Sequence, residues 1–311
     1  MKILVTGGAG FVGSHVCDQL VLQGHTVAII DNFSTGRHDN VVPGVQAFTC
    51  DLSTASDEDF RTIFDSVQPA AVIHLAAIHF IPYCMAHPGE TFDTNVKVTE
   101  HLLRVLPNTV SRFVFASTMD VYAHSNRIHS EDDEPEPFNV YGLSKYLGES
   151  LLAFKARTTD NFIGIALRFA NVIGLRETNP HLVPDVLLRI GEKTATELRM
   201  GYLGSARDFI DARDLADAVV LTLLHETDPY SVYNLGSGAS TQVRRVVELL
   251  QEYSGDTRPL VEDPKRFRKF DRDTLSPDIS RVCARFGWQP RHKLEESLRA
   301  IVASTYAHNY R

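Results

Sequence analysis

Residues 1–13 of the chain read MKILVTGGAGFVG. An apolar run of strand length, Lys2–Thr6, leads directly into a glycine loop, and a helix is predicted over Gly13–Leu22. Gly7, Gly10 and Gly13 permit a tight turn, close approach of the backbone to a pyrophosphate, and close packing of helix on strand. The positive end of the helix would face the phosphates. The stretch predicts a dinucleotide-binding unit at the start of an α/β fold.

The acidic residue at the end of the next predicted strand, Asp31, indicates which dinucleotide the site would bind. This strand covers Thr26–Asp31, which puts Asp31 within the roughly 20 residues expected between a glycine loop and a ribose-binding acid. A carboxylate there accepts a hydrogen bond from a free ribose 2′-hydroxyl and repels a 2′-phosphate. The sequence therefore favours NAD over NADP.

Short apolar runs continue to alternate with helix-length segments, which is typical of βαβ units and of a parallel sheet covered on both faces. Further strands are predicted over Val45–Cys50, Ala71–Leu75, Phe113–Ser117 and Ile163–Phe169, and further helices over Asp57–Val67, Thr91–Leu106 and Tyr141–Phe154. The predicted fold class is α/β, with a Rossmann-like, doubly wound parallel sheet.

The regular alternation stops after residue 170. Residues 171–207 mix Gly and Pro with short helical pieces, while Asp208–His225 and Val232–Leu235 are predicted to add a helix and a strand to the first sheet. We therefore expect an NAD-binding Rossmann domain over residues 1–170, with 208–235 returning to it. Residues 171–207 and 236–311 would form a smaller, discontinuous C-terminal substrate domain.

Composition bounds the function classes. The chain has 311 residues, 43% hydrophobic and 23% charged, and a formal net charge of −8, which is ordinary for a globular enzyme and argues against nucleic-acid binding. Its four cysteines lack the spacing of a zinc site or a disulfide framework. Neither a signal peptide nor a transmembrane run is recognised. These features predict a cytoplasmic protein with no bound metal and no membrane contact.

Tyr141 and Lys145 carry the clearest catalytic signal. Their spacing places both side chains on one face of the predicted helix, so that the ammonium can lie near the phenol. A free phenol has a pKa of about 10, too high for a base at neutral pH, and a nearby cation would lower that pKa. The pattern alone occurs by chance on many helices, but here it follows a dinucleotide loop and the pair Ser117-Thr118.

Taken together, these motifs resemble the extended short-chain dehydrogenase/reductase family, in particular its NAD-dependent nucleotide-sugar epimerases and dehydratases. The resemblance covers nearly the whole chain. It rests on ordered matches: TGGAGFVG at 6–13, DN at 31–32, DL at 51–52, HLAA at 74–77, Asn95, ST at 117–118, Tyr141 with Lys145, RFANVIG at 168–174, RDF at 207–209 and LGSG at 235–238.

The resemblance implies the residues of two binding sites. NAD would contact the cofactor-binding positions Gly7, Gly10, Phe11, Val12, Asp31, Asn32, Ser34, Gly36, Asp51, Leu52, Leu75, Ala76, Ala77, Asn95, Tyr141 and Lys145. A nucleotide-diphosphate sugar, with a UDP-sugar expected, would contact His79, Thr118, Asn171, Arg176, Arg207 and Arg268. Arginines suit this role independently, because a protein of net charge −8 needs local cations to hold a diphosphate.

The resemblance also implies the chemistry. Tyr141 would take the proton of the sugar 4-hydroxyl, Thr118 would relay it, and Lys145 would lower the pKa of the phenol while C4 gives hydride to NAD. Family members commonly dimerise through the helices at Thr91–Leu106 and Tyr141–Phe154, so a homodimer is expected.

The residues after Thr118 bear on the fate of the resulting ketone. Met119-Asp120 replaces the Asp-Glu pair typical of the family's dehydratases, and a thioether cannot protonate a departing 6-hydroxyl. Epimerisation at C4, an isomerase reaction of carbohydrate metabolism, is therefore favoured. Dehydration or decarboxylation with Asp120 as a catalytic base stays open. So does an NAD-binding protein of the same fold without turnover.

Overall fold

A computed structural model describes residues 1–192, 194–267 and 272–308. The strands of this part of the chain are β1 Lys2–Thr6, β2 Thr26–Asp31, β3 Gln46–Thr49, β4 Ala71–His74, β5 Arg112–Thr118, β6 Ile128–His129, β7 Ile163–Phe169, β8 Asn171–Ile173, β9 Leu198–Met200, β10 Ala206–Asp211, β11 Tyr230–Leu235, β12 Ser240–Gln242, β13 Leu260–Glu262 and β14 Thr274–Pro277. The α-helices are α1 Phe11–Leu22, α2 Asp57–Val67, α3 Ile81–Ala86, α4 Pro88–Phe92, α5 Val98–Val105, α6 Val140–Thr158, α7 Leu182–Gly191, α8 Ala212–His225, α9 Val243–Ser254, α10 Ser280–Phe286 and α11 Leu294–His308.

Within the described residues, seven strands form a parallel sheet in the order β11-β7-β5-β4-β1-β2-β3. The chain winds outward from β1 to β3, then returns to the other side of β1 with β4. This reversal creates a crevice between the carboxyl ends of β1 and β4, which is where ligands bind in open α/β sheets. The α/β class and the doubly wound, Rossmann-like sheet are confirmed.

Alternation along β1 explains why both faces of the sheet are covered. Ile3 and Val5 join a core with α1 and α8, whereas Leu4 points into a second core with α2, α5 and α6. Successive side chains of a strand face opposite sides, so a run of apolar residues fills both cores. Complete burial of one large aliphatic or aromatic side chain stabilises the fold by about 1.5–3 kcal/mol.

A smaller set of strands lies beyond the carboxyl edge of the large sheet. The order is β12-β10-β14-β6, with β8 also pairing with β10, and β9 pairs separately with β13. Helices α7, α9 and α11 pack together over an apolar core that includes Val186, Val246, Leu250 and Leu298. These segments form one wall of the cavity described below.

Most predicted elements of the large sheet are found. β1, β2, β7 and α2 have the predicted bounds, and β3, β4, β5, α1 and α6 differ at their ends by one to four residues. The prediction of a helix from Asp208 is wrong. Residues 206–211 are strand β10 of the smaller sheet, and α8 begins at Ala212 because the Asp211 side chain accepts a hydrogen bond from the Arg213 N–H at 2.8 Å and so caps the helix.

The helix predicted over Thr91–Leu106 is divided into three pieces. A π-helical turn, Asp93–Lys97, separates α4 from α5. In this turn the buried Asn95 side chain joins the loop after β4 to α6: its Oδ1 accepts from the Ile78 N–H and its Nδ2 donates to the Ile78 carbonyl, both at 2.8 Å, and to the Ser144 hydroxyl at 3.0 Å. A local widening of a helix is common at functional sites, and here it aims an amide at a loop of the cavity wall.

A buried ion pair ties α6 to the large sheet. Glu149 of α6 accepts two hydrogen bonds from the Arg168 guanidinium of β7, at 2.9 and 2.7 Å, and a third from the Ser117 hydroxyl of β5. Arg168 also donates to the Tyr122 hydroxyl at 2.8 Å. The network fixes the helix that carries Tyr141 and Lys145 against the strand that carries Thr118.

No described helix is long and apolar enough to cross a membrane.

Glu149→Ala should lower the free energy of unfolding by about 3–5 kcal/mol, because it leaves the Arg168 charge buried without a partner. Urea denaturation of the two proteins measures the difference. Glu58→Ala is the matched control: Glu58 pairs with Arg61 on the surface, and its loss should change stability by less than about 0.5 kcal/mol. A loss below about 1 kcal/mol for Glu149→Ala would contradict the assigned role of the buried pair.

Candidate active site

The carboxyl ends of the large-sheet strands and the smaller sheet enclose a cavity of ≈ 1420 Å³. Small-molecule pockets are commonly about 300–1,000 Å³, so this cavity has room for more than one ligand of ordinary size. The glycine loop lies at one end of its wall. Thr118, Tyr141 and Lys145 also line the wall, and Arg207 joins it from the smaller sheet.

The glycine loop meets the requirements of a phosphate cradle. Gly7 has φ +70°, and a Cβ there would lie 2.9 Å from the backbone N of Ala76, while a Cβ on Gly13 would lie 2.0 Å from the Gly7 carbonyl oxygen. Glycine at both positions therefore lets β4 and α1 approach the loop. Gly10 precedes α1 with no side-chain cap, and Gly10, Phe11, Val12 and Gly13 line the cavity, which leaves the first N–H groups of a twelve-residue helix facing it.

Asp31 lines the same end of the cavity. Its Oδ2 accepts from the Ala9 N–H at 2.9 Å and its Oδ1 from the Phe33 N–H at 2.8 Å. A carboxylate has about four lone-pair positions, so this one retains acceptor capacity after holding the glycine loop. That capacity is what a ribose diol needs.

The other predicted cofactor positions divide into two groups. Those that line the cavity are Asn32, Ser34, Asp51, Leu52, Leu75, Ala76 and Ala77. The Ser53 hydroxyl and N–H bind Asp51 Oδ1 at 2.7 and 2.9 Å and lower the pKa of that carboxyl. Gly36 and Asn95 are not among the lining residues. Gly36 packs against Asp31 and Ala9, where its missing side chain gives Asp31 room, and Asn95 is occupied with the loop at Ile78.

The four predicted catalytic residues, Thr118, Tyr141, Lys145 and Asp120, all line the cavity. Thr118 ends β5, and its side chain lies close enough to the Tyr141 phenol to lower the pKa of that group. Lys145 lies one turn along α6, almost fully buried, with its Nζ 4.9 Å from the centre of the Phe115 ring and 5.9 Å from the centre of the Tyr141 ring. Lys145 lines the cavity, and its ammonium forms no salt bridge with any described residue.

The electrostatics of this pair differ from the expectation drawn from spacing. Burial raises the pKa of Tyr141 well above its ordinary value, and the Asp120 charge raises it further; Thr118 opposes the shift. Burial lowers the pKa of Lys145 to about 7. Loss of water disfavours the charged form of both groups, so in the protein by itself burial outweighs any lowering of the Tyr141 pKa by Lys145, which stays a prediction for the occupied site.

Asp120 lines the cavity in the turn after Thr118. Its N–H donates to Thr118 Oγ1 at 3.2 Å, and its Oδ1 accepts from Asn139 Nδ2 at 3.0 Å. Arg272 Nη2 lies 3.8 Å from the same oxygen. Met119 is only 1% exposed, and its thioether has no proton to give.

The predicted substrate residues are only partly brought together. Asn171, Arg207 and His79 line the cavity, and burial lowers the pKa of His79 to about 4, so its ring is neutral at pH 7. Arg176 does not line the cavity: its backbone has φ +71°, and its Nη1 donates to Asp18 Oδ2 at 2.7 Å, so its contact with substrate stays a prediction. Arg268 lies outside the described residues.

Several lining residues were not predicted. Arg189 and Arg266 add cations to the smaller-sheet end of the cavity, and Glu177 accepts from His181 Nδ1 at 2.6 Å. The His181 ring lies edge-on to His79, 5.2 Å between centres. Arg266 belongs to the basic run 265–269, a signal present in the sequence; Arg189, Glu177 and His181 follow no motif and reach the cavity through tertiary packing.

Comparison with known proteins bears on this geometry. The sequence profile of the NAD-dependent epimerase/dehydratase family matches residues 3–236. The chain belongs to this family. A UDP-glucose 4-epimerase of Corynebacterium glutamicum is 32% identical, over 99% of this chain and 95% of its own length.

The fold is similar to the crystal structures of two UDP-glucose 4-epimerases. One, from Thermotoga maritima with UDP-glucose, has a TM-score of 0.91 and 30% identity and covers 99% of this chain and 100% of its own. The other, from Thermus thermophilus with NAD, has a TM-score of 0.88 and 29% identity and covers 97% and 98%.

Family membership confirms that the chain is an enzyme and that NAD is its cofactor. The residues present fit the cofactor: an uncapped helix start lined by glycine, a carboxylate with acceptor capacity, and a buried ammonium whose donors lack an anionic protein partner. Among the described residues no cluster of side chains is suited to hold a metal ion.

Lys145→Met should stabilise the protein without added ligands, with a gain that depends on pH. The ammonium of Lys145 has a pKa of about 7 when folded. Unfolded, its pKa is about 10.4, so the unfolded chain binds more protons between these values. Wild-type stability therefore carries the full penalty below about pH 7 and recovers as pH rises. The gain from Lys145→Met should shrink by about 1.4 kcal/mol per pH unit from pH 7 to 10.

Urea denaturation of both proteins at several pH values between about 6 and 9 tests this linkage. The matched control is Lys97→Met, because the Lys97 ammonium is exposed and pairs with Asp93 on the surface. Its effect should not vary with pH over this range. A gain for Lys145→Met that is equally independent of pH would show that the lysine is not held at a depressed pKa.

Proposed function

We propose that the enzyme is a UDP-hexose 4-epimerase. The observation that carries the proposal is the convergence of Thr118, Tyr141 and Lys145 on a cavity that joins a dinucleotide cradle to an arginine-lined end. The names of the relatives and of the similar structures support epimerisation at C4 and a UDP-sugar substrate. Bound NAD would supply a hydride acceptor and a cationic ring.

The side chains supply the proton transfer. Tyr141 and Thr118 line the same wall, so a sugar 4-hydroxyl placed beside them could pass its proton to the phenolate and receive it back once C4 is reduced again. Lys145, one turn away, would hold a ribose hydroxyl of the cofactor. Because burial raises the pKa of Tyr141, the phenolate needs added positive charge or hydrogen bonds, which an occupied site supplies.

Arg207 and Arg266 would neutralise the diphosphate at the smaller-sheet end, although Arg266 Nε also lies 3.5 Å from Asp263; Arg189 lines the same end, but its charge is already paired with Asp185 through two hydrogen bonds. They are the cations of that wall among the described residues, and Arg268, one of the predicted substrate residues, is adjacent in sequence to this region.

Dehydration is disfavoured because Met119 has no proton for a leaving 6-hydroxyl. Decarboxylation keeps one supporting observation, the Asp120 carboxylate on the cavity wall.

A product assay tests the proposal. The protein is incubated with NAD and a panel of nucleotide sugars, and products are examined by mass spectrometry and proton NMR. An unchanged mass with an altered coupling at C4 supports epimerisation. Loss of water or carbon dioxide, or no turnover of any sugar, would each overturn it, the last in favour of an NAD-binding protein without turnover.

Tyr141→Phe should lower kcat by about 10²–10⁴-fold, because the proton acceptor is lost while the ring that packs in the cavity is kept. NAD content, measured on the purified protein, should stay near the wild-type value. Thr118→Ser is the conservative control, since it keeps a hydroxyl for the phenol and should retain much of the activity. Wild-type turnover by Tyr141→Phe would refute the base assignment.

We also propose the division into an NAD-binding domain over residues 1–170 and 212–235 and a substrate domain from the remaining segments, and a cytoplasmic homodimer. The dimer proposal is supported by a stripe of exposed apolar residues on α6: Leu143, Leu147 and Phe154, which lie at helical spacing and are 39%, 36% and 67% exposed. Free thiols at all four cysteines suit a reducing compartment.

Leu147→Glu with Phe154→Glu should convert the dimer into a monomer, because two charges would have to be buried in the interface. Light scattering coupled to gel filtration gives the mass. The control is Leu22→Glu, which alters an apolar side chain on α1 that is 81% exposed and should leave the mass unchanged. A wild-type mass equal to one chain, or a dimer that survives both substitutions, would contradict the proposal.

A further inference from the structure

Residues 174–181, called the strap below, connect β8 to α7. The structure describes every residue of the strap, and none of them belongs to a helix or a strand. Glu177, Asn179, Pro180 and His181 line the cavity. Because no backbone ladder holds the strap, its position depends on contacts with the elements on either side.

One side of the strap is attached to the elements around the glycine loop. His15 Nε2 of α1 donates to the Leu175 carbonyl at 3.0 Å. The Thr178 hydroxyl donates to the Thr35 carbonyl, in the loop after β2, also at 3.0 Å. Helix α1 follows β1 directly, so these contacts attach the strap to the β1 side of the crevice in the large sheet.

The other side of the strap meets the loop after β4. The hydrogen bond from His181 Nδ1 to Glu177 sets the orientation of the His181 ring. This ring lies edge-on to His79, and its centre is 6.0 Å from the centre of the Phe80 ring. His79 and Phe80 follow β4, so the strap reaches across the crevice between β1 and β4, which is where ligands bind in such a sheet.

The strap also contains a backbone outlier. Arg176 has φ +71°, in the left-handed region that residues with side chains seldom adopt. The bond from its guanidinium to Asp18 on α1, together with the contacts of Leu175 and Thr178, holds this conformation in place. Outliers that are held by their surroundings concentrate at ligand clamps and switches.

The attachments of the strap are few and partly exposed to solvent. The Arg176 and Asp18 side chains are 35% and 41% exposed, and the His181 side chain is 35% exposed. Exposed ion pairs are individually weak, and segments with few buried contacts open locally while the rest of the fold stays intact. The strap is therefore able to open without disturbing either sheet.

We propose that the strap closes over bound NAD and that its opening controls exchange of the cofactor. The glycine loop and the Asp31 carboxylate would hold NAD in the crevice whose two sides the strap joins, so release requires an attachment to break. In the proposed function the sugar gives hydride at C4 and takes it back. The cofactor ends each cycle in its starting state, and the strap has no need to open during turnover.

The rate of NAD dissociation tests the attachment to α1. The protein is loaded with radiolabelled NAD and diluted into excess unlabelled NAD without any sugar. Asp18→Arg should raise the dissociation rate constant at least about threefold, because an ion pair becomes a repulsive contact. Adding Arg176→Asp restores an ion pair in the opposite order and should return the rate constant toward the wild-type value. The control is Glu58→Arg, which makes the equivalent change in a surface pair on α2 and should leave the rate constant unchanged.

His181→Ala tests the attachment to the loop after β4 in the same assay, and it should also raise the rate constant at least about threefold. The proposal requires both attachments. An unchanged rate constant for Asp18→Arg or for His181→Ala overturns it, as does a rise that Arg176→Asp fails to reverse. A wild-type protein that loses its NAD during gel filtration also overturns it. Because no sugar is present, the result is independent of the product assay that tests the proposed function.

Discussion

The contact between α6 and β5 is the constraint on which the site depends. A side chain at Gly148 would place its Cβ 2.3 Å from the Phe115 ring, and one at Gly142 would meet the Asp120 backbone. Glycine at these two positions lets the helix lie close enough for Tyr141 and Lys145 to face Thr118. The Glu149–Arg168 pair then fixes the helix against sliding, because any shift would break hydrogen bonds buried away from water.

Burial has opposite consequences for stability and for chemistry in this arrangement. The fold keeps an ammonium with a pKa of about 7 and a phenol with a raised pKa in the same wall, and both shifts cost free energy in the protein alone. A low-dielectric wall also strengthens each interaction with a ligand that brings charge or hydrogen bonds. Perturbed groups of this kind concentrate at functional sites, where stability is given up for pre-organisation.

The parts of the fold that could be predicted are those whose signals lie within short, continuous stretches of the sequence. The glycine loop, the strand ending at Asp31 and the Tyr141–Lys145 spacing are contiguous signals, and the large sheet follows from them. Strand β10 was missed because its last residues were predicted as the start of the following helix. Helix α8 begins only after Asp211, whose side chain caps it, so a single side chain sets this boundary. The position of Arg176 away from the cavity wall could not be predicted, because sequence order does not reveal that its side chain pairs with Asp18. The pKa of Lys145 depends on the amount of water excluded, which spacing cannot express.

The same geometry separates what is common to the family from what is particular to this chain. In the proposed function, proton transfer at C4 depends on the hydroxyl of Thr118 and the phenol of Tyr141, both positioned by the α6–β5 contact. The next two residues, Met119 and Asp120, lie on the turn that follows β5 and line the same cavity. Here Met119 is packed into the core and Asp120 is anchored through one oxygen by Asn139. Among the described residues only Oδ1 of this carboxylate accepts a hydrogen bond, so Oδ2 remains an acceptor at the cavity surface.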